Sequence, residues 1–369
     1  MKPVSLTYSL ADQDFERTKS IGIFNVSLQL ADALAVEPRL ERLTVLVNQW
    51  HMPRLHLPPH VTMALRNEAA GRGLQRILWD QWHAYDMARR LGNEWLLLPK
   101  GFASFIRPCP LRLAVYVHDV MHHVYSRQYP RTLPTVERLY FQRSMLATMR
   151  QAEVIFTNTE FTASEVRRVA RESGLREPHV CCVGIGFQTP EATESRREDR
   201  IIVLTSNWPH KRSDLALEWV RRWQERSGFQ GQIELIGGLP RGTGRPTHPG
   251  WRHWPRIEEE DYRQLLGTAR ALVYFSDYEG FGMPPVEATL AGVSAVYSDL
   301  PPTREAMAGA GLPFSNADFA SFSRAMDQAL TLPPETSRAW AANLLQRHNW
   351  SQVARRVVNA LEEMPPATA

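Results

Sequence analysis

Short apolar runs of strand length alternate with helical segments along the whole chain. In the first half, runs at 42–47, 113–117 and 154–157 are almost continuously apolar, and helical periodicity covers 26–35 and 136–149. A strand that is covered by helices on both faces loses the polar alternation of a strand with one wet face. The pattern therefore predicts parallel sheets with helices on both sides.

The second half of the chain repeats this pattern. Its apolar runs and helical segments alternate at 201–205, 214–226, 233–236, 258–268, 271–275 and 284–291. The change from one half to the other falls near 183–186, and a polar stretch without periodicity follows it. A length of 369 residues suits two domains. We therefore expect two doubly wound units, the first over 1–186 and the second over 187–349.

The last segment, 350–369, begins as an amphipathic helix. Its apolar positions recur at helical spacing, and Ser351 is the expected N-terminal cap. Because such a helix needs an apolar partner, we expect it to return to the first unit.

Composition excludes several classes of protein. Hydrophobic residues make up 43% and charged residues 22%, which is typical of a globular chain and not of a disordered one. No apolar run is long enough to cross a bilayer, and the first twenty residues lack the apolar core of a signal peptide. Cys109, Cys181 and Cys182 cannot form a disulfide framework and are expected to be core residues. These features favour a cytoplasmic protein.

The most informative motif is the stretch 276–287, Ser-Asp-Tyr-Glu-Gly-Phe-Gly-Met-Pro-Pro-Val-Glu. It follows an apolar strand, turns on two glycines and begins a helix with prolines, which need no N–H partner there. Backbone amides and the positive end of the helix then point beyond the strand, as in a phosphate site. Each carboxylate of Glu279 and Glu287 can accept two hydroxyl groups, so one suits a sugar ring and the other a ribose. The alternative is a helix start with two solvated glutamates.

This motif resembles that of the family 4 retaining glycosyltransferases, which carry two glutamates at the spacing of Glu279 and Glu287. The resemblance implies the GT-B fold, in which two Rossmann-like doubly wound domains face a cleft and a C-terminal helix crosses back. It also implies that Glu279 contacts the transferred sugar and that Glu287 holds the ribose. The backbone near the sugar and phosphate would come from Gly280, Phe281, Gly282 and Met283.

Four further positions match the family. Lys211 follows a strand and would reach the donor diphosphate, with Arg212 supplying charge where relatives have an earlier arginine and this chain has Ser206 or Asn207. His118, at the end of the 113–117 run, would stabilise the departing sugar or bond its hydroxyl. The remaining two are Gly22, in a glycine loop that begins at Lys19 and Ser20, and Ile257, beside the nucleotide base.

The resemblance implies a metal-independent, cofactor-free enzyme that retains the anomeric configuration by front-face attack. We expect a hexose to move from a nucleotide sugar, with GDP-mannose first, to a glycan or lipid-linked acceptor bound by the first unit. The expected setting is cell-envelope polysaccharide synthesis in the cytoplasm, with peripheral contact at the inner face of the membrane. Two alternatives remain open: a nucleotide-sugar epimerase of similar fold, and a nucleic-acid-binding protein, which an isoelectric point near 9.0 would suit. We expect no nucleic-acid partner, because that alternative leaves the glutamate motif unexplained.

Three other patterns are weighed and set aside. His118 and His122, four residues apart on one predicted helix face with His123 and Asp119 nearby, fit a metal site poorly because no third ligand can be named. The pair Asp12 and Asp14 does not end a strand, as a metal-binding Asp-x-Asp should. A tryptophan and arginine cluster is consistent with an anionic surface or, slightly better, with an ordinary helix that buries its tryptophans and solvates its arginines; its members are Trp79, Trp82, Trp95, Arg72, Arg76, Arg89 and Arg90. The family resemblance shifts the balance back toward the membrane surface, because many relatives act on lipid-linked acceptors at membranes.

Overall fold

The protein is described by a computed structural model, which covers residues 4–11, 21–48, 55, 57–66, 77–188, 197–240, 242–244 and 247–365. The chain divides into two compact units. The first unit comprises Met1–Gly186 with His348–Ala369, and the second comprises Phe187–Arg347.

Within the described ranges, the first unit contains a seven-stranded parallel sheet in the order β3-β2-β1-β4-β5-β6-β7. Its strands are β1 (Val4–Ser9), β2 (Leu40–Val47), β3 (Thr62–Leu65), β4 (Trp95–Leu98), β5 (Arg112–Val117), β6 (Val154–Thr157) and β7 (Val180–Cys182). Its helices are α1 (Ile21–Ala35), α2 (Ala84–Leu91, preceded by a π-helical turn at Trp79–His83), α3 (Met121–Gln128), α4 (Thr135–Gln151), α5 (Glu160–Glu172) and α12 (Trp350–Glu363).

The second unit contains a six-stranded parallel sheet in the order β10-β9-β8-β11-β12-β13, again counted over the described residues. Its strands are β8 (Arg200–Thr205), β9 (Gln232–Gly237), β10 (Trp251–Trp254), β11 (Ala271–Tyr274), β12 (Ser294–Ser298) and β13 (Leu312–Phe314). Its helices are α6 (Ser213–Ser227), α7 (Glu259–Thr268), α8 (Met283–Leu290), α9 (Pro301–Met307), α10 (Phe319–Thr331) and α11 (Pro334–Arg347). The predicted architecture of two doubly wound α/β units is confirmed.

Both cores consist of strands that are buried on both faces, which explains why their sequences lack alternation. Every residue of β5, β6 and β11 is buried. In the second unit, Trp219 packs between the sheet and α10, with its ring 5.8 Å from that of Phe275 and 5.6 Å from that of Phe322. The apolar runs in the sequence thus report the central strands directly.

The last helix, α12, completes the core of the first unit. It packs against α1, and Val353, Val357 and Leu361 belong to the same buried cluster as the strands of that unit. The expected cap is wrong: the cap is Asn349, whose side chain accepts a hydrogen bond from the backbone N–H of Gln352 at 3.2 Å. Ser351 lies inside the first turn of the helix, because Trp350 already has helical geometry.

The start of α12 contacts the end of the 1–186 segment closely. The Trp350 indole N–H donates to Gln29 at 2.8 Å, and Arg356 donates to the carbonyl of Val183 at 2.7 Å. A Cβ atom placed on Gly186 would lie 2.4 Å from the Trp350 ring. Gly186 is therefore needed for this close approach of backbone and ring.

Only one of the three tryptophans in the tryptophan and arginine cluster is a surface residue. Trp79 and Trp95 are buried, whereas Trp82 is exposed. Arg72 and Arg76 lie outside the described residues. A surface formed by all three tryptophans is therefore excluded, since two of them are core residues. No helix within the described ranges is long and apolar enough to cross a membrane.

The strand order of the second unit places the carboxyl ends of β8 and β11 next to each other. From β8 the chain proceeds to β9 on one side, and β11 lies on the other side of β8. In open parallel sheets, ligands bind at the carboxyl ends of the strands where the order reverses in this way. The loops that follow β8 and β11 both begin at this point.

Candidate functional site

The two loops bring Lys211 and Glu279 into direct contact. Lys211 ends a 3₁₀ turn (Pro209–Lys211) after β8, and Glu279 lies in the loop after β11. The Lys211 ammonium lies 2.6 Å from Oε1 of Glu279 and 2.6 Å from the hydroxyl of Tyr274. That hydroxyl donates to the same Glu279 oxygen at 2.6 Å. An ammonium, a phenol and a carboxylate therefore form one three-membered cluster.

Backbone contacts hold the two loops together. The carbonyl of His210 accepts hydrogen bonds from the Asp277 N–H at 2.7 Å and from the Ser276 hydroxyl at 3.2 Å. The His210 ring is buried, and burial followed by the nearby Lys211 charge lowers its pKa to about 4. His210 is thus neutral at physiological pH and adds no charge to the cluster.

The Glu279 carboxyl is buried but charged. Burial alone would raise its pKa, but the Lys211 charge and the hydrogen bonds from Lys211 and Tyr274 outweigh burial, and the pKa lies below its ordinary value. The carboxylate therefore stays ionised through the neutral range and accepts hydrogen bonds only.

Helix α8 begins beside this cluster, at Met283, one residue before its predicted start. Gly282 caps it with a φ of 91°, a left-handed conformation that favours glycine, and a Cβ there would lie 2.7 Å from the Thr303 hydroxyl. Prolines at the next two helical positions have no N–H, so the N–H groups of Gly282 and Met283 lead the helix. These amides and the helix end suit an anion. Gly280 and Phe281 form the buried turn before them.

Glu287 lies in the second turn of α8 and is half-buried. Burial, and then the charge of Glu259 in the first turn of α7, raises its pKa to about 7. Tyr262 is also near, since burial and the Glu287 charge raise the pKa of its phenol. Ile257 is half-buried in the short connection that leads into α7. The start of α7 thus lies beside Glu287.

Arg212 contacts two carboxylates. It has a left-handed backbone with φ 43°, and its guanidinium lies 3.2 Å from Asp277 and 3.5 Å from Asp214. Asn316 also donates to Asp277, at 3.0 Å. Asp277 and Asp214 balance the charge of Arg212 within the second unit, and the pair with Asp277 holds the loop after β11. The predicted contact of Arg212 with phosphate stays a prediction.

His118 belongs to the first unit and follows β5. One ring nitrogen, Nε2, lies 2.8 Å from the carbonyl of Pro99, and the ring stacks on Tyr116 at 4.5 Å. Burial lowers the pKa of His118 to about 4, so the ring is neutral. Since Nε2 must carry the proton to bond a carbonyl, Nδ1 is the acceptor. Asn158 fixes the His118 backbone by donating to its carbonyl at 2.9 Å.

The histidine-rich segment does not form a metal centre. The predicted helix face is wrong, because His118 precedes α3 and only His122 and His123 lie in it. Asp119 accepts the N–H of Met121 at 2.7 Å, and the His122 ring stacks on Phe141 at 3.8 Å. Among the described residues, no group of three or more potential ligands is arranged to hold a metal ion. Asp12 and Asp14 lie outside that part of the chain.

Gly22 was expected to lie in a loop before a helix, and this expectation is wrong. It is the second residue of α1, because the helix begins at Ile21, five residues before the periodicity predicted. Lys19 and Ser20 lie outside the described residues. The predicted role of the Gly22 backbone in binding the donor or acceptor stays a prediction.

Sequence reasoning missed Tyr274 and Asn316, both of which contact the site. Tyr274 lies within the apolar run 271–275, but it is the last residue of β11 and carries a hydroxyl to the carboxyl end of the sheet. That position was the signal available. Asn316 follows β13, and no sequence signal pointed to it, since its contacts depend on a sheet order that the sequence does not give.

Solved structures share the fold of this chain. The sucrose-phosphate synthase from Thermosynechococcus elongatus matches 99% of this chain and 100% of its own, with a TM-score of 0.68 at 14% identity. The Anabaena protein HepE in complex with UDP matches 97% of this chain and 99% of its own, with a TM-score of 0.66 at 13% identity. The protein therefore has the GT-B fold of these neighbours.

Sequence comparison identifies the family. Residues 252–347 match the family described as Glycosyl transferases group 1. The O-antigen chain mannosyltransferase B of Escherichia coli is 34% identical over 92% of this chain and 95% of its own length. The matched region includes Ile257, the Glu279 loop and Glu287, which are three of the positions that the sequence motif singled out. The chain thus belongs to the group 1 glycosyltransferases.

Proposed function

We propose that this protein is a retaining mannosyltransferase that takes mannose from GDP-mannose in the synthesis of an O-antigen-like polysaccharide. The observation that carries the proposal is the Lys211–Glu279 cluster at the strand-order reversal, next to the start of α8. The family assignment supports glycosyl transfer, and the name of the Escherichia coli relative supports mannose and the class of product.

The proposed chemistry assigns one task to each group. The bond between the sugar C1 and the donor phosphate oxygen breaks, and the acceptor oxygen bonds to C1 on the same face. The acceptor proton moves to a donor phosphate oxygen. Lys211 and the amides of Gly282 and Met283 stabilise the charge on the leaving diphosphate. Glu279 holds the sugar hydroxyls, and Glu287 holds the ribose.

Metal independence is part of the proposal. An ammonium and the first amides of a helix perform the charge stabilisation that a divalent cation provides in other transferases. We expect transfer to be unchanged after treatment with EDTA and dialysis. A strict requirement for added Mg²⁺ or Mn²⁺ would reject this part.

We propose that the first unit binds the acceptor. In that unit β1 ends at Ser9 and β4 ends at Leu98, two residues before Lys100. The strand order also reverses between β1 and β4, and open parallel sheets bind ligands at the carboxyl ends of the strands at such a point. The neutral His118, which follows β5, can accept a hydrogen bond from a sugar hydroxyl at Nδ1.

The decisive experiment is a donor panel with purified protein. GDP-mannose, UDP-glucose, UDP-galactose and dTDP-rhamnose are compared by thermal shift and by release of the free nucleotide. We expect GDP-mannose to give the largest shift and turnover, and UDP sugars are the rival because HepE binds UDP. Conversion of a donor to its epimer without release of diphosphate would instead show an epimerase. NMR of the product linkage tests retention.

We also propose peripheral contact with anionic lipid, through a surface formed by the π-helical turn, the loop at 102–107 and the start of α4. Tyr140 links these segments, since its hydroxyl bonds Asp80 at 3.0 Å and its ring lies 5.8 Å from Phe105. Large exposed apolar side chains cluster on them: Leu78, Trp82, Ile106, Val136 and Leu139. Exposed arginines accompany them at Arg89, Arg90 and Arg143. Apolar side chains with basic neighbours suit an anionic bilayer surface.

Vesicle co-sedimentation tests the membrane contact. Wild type should bind vesicles that contain phosphatidylglycerol and not pure phosphatidylcholine, and binding should weaken with salt. Trp82→Ala with Val136→Ser should lower binding at least about tenfold, because two inserted side chains are lost. Equal binding by this variant and wild type would reject the surface.

A further inference from the structure

Tyr274 occupies a central position in the second unit. It is the last residue of β11, pairs in register with Leu204 of β8 and Tyr297 of β12, and is 5% exposed. Its hydroxyl contacts both Lys211 and Glu279 at 2.6 Å, and the Lys211 ammonium lies 4.9 Å from the centre of its ring.

The direction of each hydrogen bond follows from the chemistry of the three groups. An ammonium only donates, a carboxylate only accepts, and a phenol has one proton. Lys211 therefore donates to the phenol oxygen, and the phenol proton goes to Oε1 of Glu279. Burial, followed by the Glu279 charge, raises the phenol pKa well above its ordinary value, so that proton stays on Tyr274.

We propose that Tyr274 is a positioning residue for the glycosyl transfer proposed above: its phenol fixes Glu279 through Oε1 and leaves Oε2 for the hydroxyl groups of the donor sugar. The inference rests on the proposed function, and it adds a residue that the glutamate motif does not contain.

The cluster also has a consequence for donor binding. A diphosphate competes with Glu279 for the Lys211 ammonium, because both are anions within reach of one cation. The bond from Tyr274 to Glu279 does not depend on Lys211. Tyr274 thus keeps the Glu279 carboxylate in place and ionised when Lys211 turns to the phosphate.

The test compares Tyr274→Phe with Tyr297→Phe. Tyr297 is the matched control, because it is a buried tyrosine in the paired position of the neighbouring strand and its hydroxyl bonds only a carbonyl, that of Ala310, at 3.1 Å. We expect Tyr274→Phe to lower kcat roughly 10- to 100-fold, the range for one lost hydrogen bond to a charged group, with the donor KM changed less than about threefold. We expect Tyr297→Phe to lose thermal stability without a change in kcat.

The pH profile separates positioning from a general structural effect. Loss of a hydrogen bond to the carboxylate raises the pKa of Glu279. In a Glu287→Gln background, which removes the carboxyl that titrates near pH 7, the acidic limb of kcat/KM should therefore move to higher pH with Tyr274→Phe and stay in place with Tyr297→Phe. A folded Tyr274→Phe protein with wild-type kcat and an unmoved acidic limb would overturn the proposal.

Two further measurements cover the remaining outcomes. If Tyr274→Phe does not fold, 3-fluorotyrosine can be placed at residue 274 alone, which keeps the ring and gives a phenol that donates more strongly to Glu279. The acidic limb should then move to lower pH, and an unmoved limb would reject the proposal. The Glu279 titration can also be followed by ¹³C NMR without substrate. The wild-type protein could transfer no sugar from any donor in the panel while Tyr274→Phe still raises the Glu279 pKa. That outcome would keep the positioning role of Tyr274 and reject the proposed function.

Discussion

At the scale of single residues, the two glutamates of one motif have opposite properties. Glu279 contacts a cation and a phenol, and its pKa is lowered; Glu287 lies near another carboxylate, and its pKa is raised to about 7. The sequence predicted both residues and their spacing from a strand end. It could not predict the difference, because the charged partners Lys211 and Glu259 come from other segments of the fold.

We predict that Lys211→Ala and Glu279→Ala each lower the transfer rate at least about 100-fold at saturating donor. Each removes a charged contact to the reacting sugar or leaving group, which costs on this order. The measurement is initial-rate kinetics with the donor found in the panel. Glu225→Ala, on the exposed face of α6 where it pairs with Arg221, is the control and should keep the wild-type rate. Near-normal rates in both site variants would contradict the assignment.

We predict that Glu287→Gln stabilises the protein at pH 8 more than at pH 5. The folded pKa of about 7 lies above the ordinary value of 4.5 for an unfolded chain, so the folded state binds more protons between these values. Stability due to Glu287 is therefore lost as the pH rises from about 4.5 to 7, on the order of 2–3 kcal/mol. Thermal unfolding at both pH values measures this. An equal effect at both would show that the carboxyl titrates normally.

At the scale of helices and strands, the sequence predicted the central strands best. The ends of β6 and β11 fall within one residue of prediction, because a strand buried on both faces is apolar throughout. Strand β3 went unpredicted, since its residues are mostly exposed at the sheet edge. The start of α8 was predicted to within one residue from its glycine and prolines. The contact of Gly282 with Thr303 was not, because α9 follows in sequence and packs there only in the folded chain.

We predict that Gly282→Ala lowers both stability and activity. Alanine disfavours a φ of 91°, and its Cβ would lie 2.7 Å from the Thr303 hydroxyl. Together these cost about 1–3 kcal/mol and displace the first amides of α8. Chemical denaturation and nucleotide binding measure the two effects. Thr303→Ala in the same chain should recover the steric part alone, so full recovery would show that the backbone angle is unimportant.

At the scale of the whole molecule, the chain passes from one unit to the other twice, after Gly186 and after Arg347. The first unit thus contains both early and late residues, and α12 shares its core with α1 and the strands. Hydrophobic periodicity predicted that the last segment is an amphipathic helix that needs a partner. It could not predict the contact of Trp350 with Gly186, which depends on how the two segments meet.

We predict strong coupling between Gly186 and Trp350. Gly186→Ala puts a Cβ where the ring lies and should cost about 1–3 kcal/mol of unfolding free energy. In a chain that already carries Trp350→Ala, the same change should cost little, because the ring is gone. A double-mutant cycle by urea denaturation measures the difference. If the unfolding free-energy costs of Gly186→Ala and Trp350→Ala simply add, the contact with the Trp350 ring is not the reason why residue 186 must be glycine.

The position of α12 also has a consequence for synthesis on the ribosome. The core of the first unit includes Val353, Val357 and Leu361, which are translated after every residue of the second unit. During translation, the 1–186 segment therefore lacks its last core helix, and the apolar surface that α12 covers stays exposed until the second unit has been synthesised. Nascent chains that stall near Arg347 are consequently the ones most in need of a chaperone.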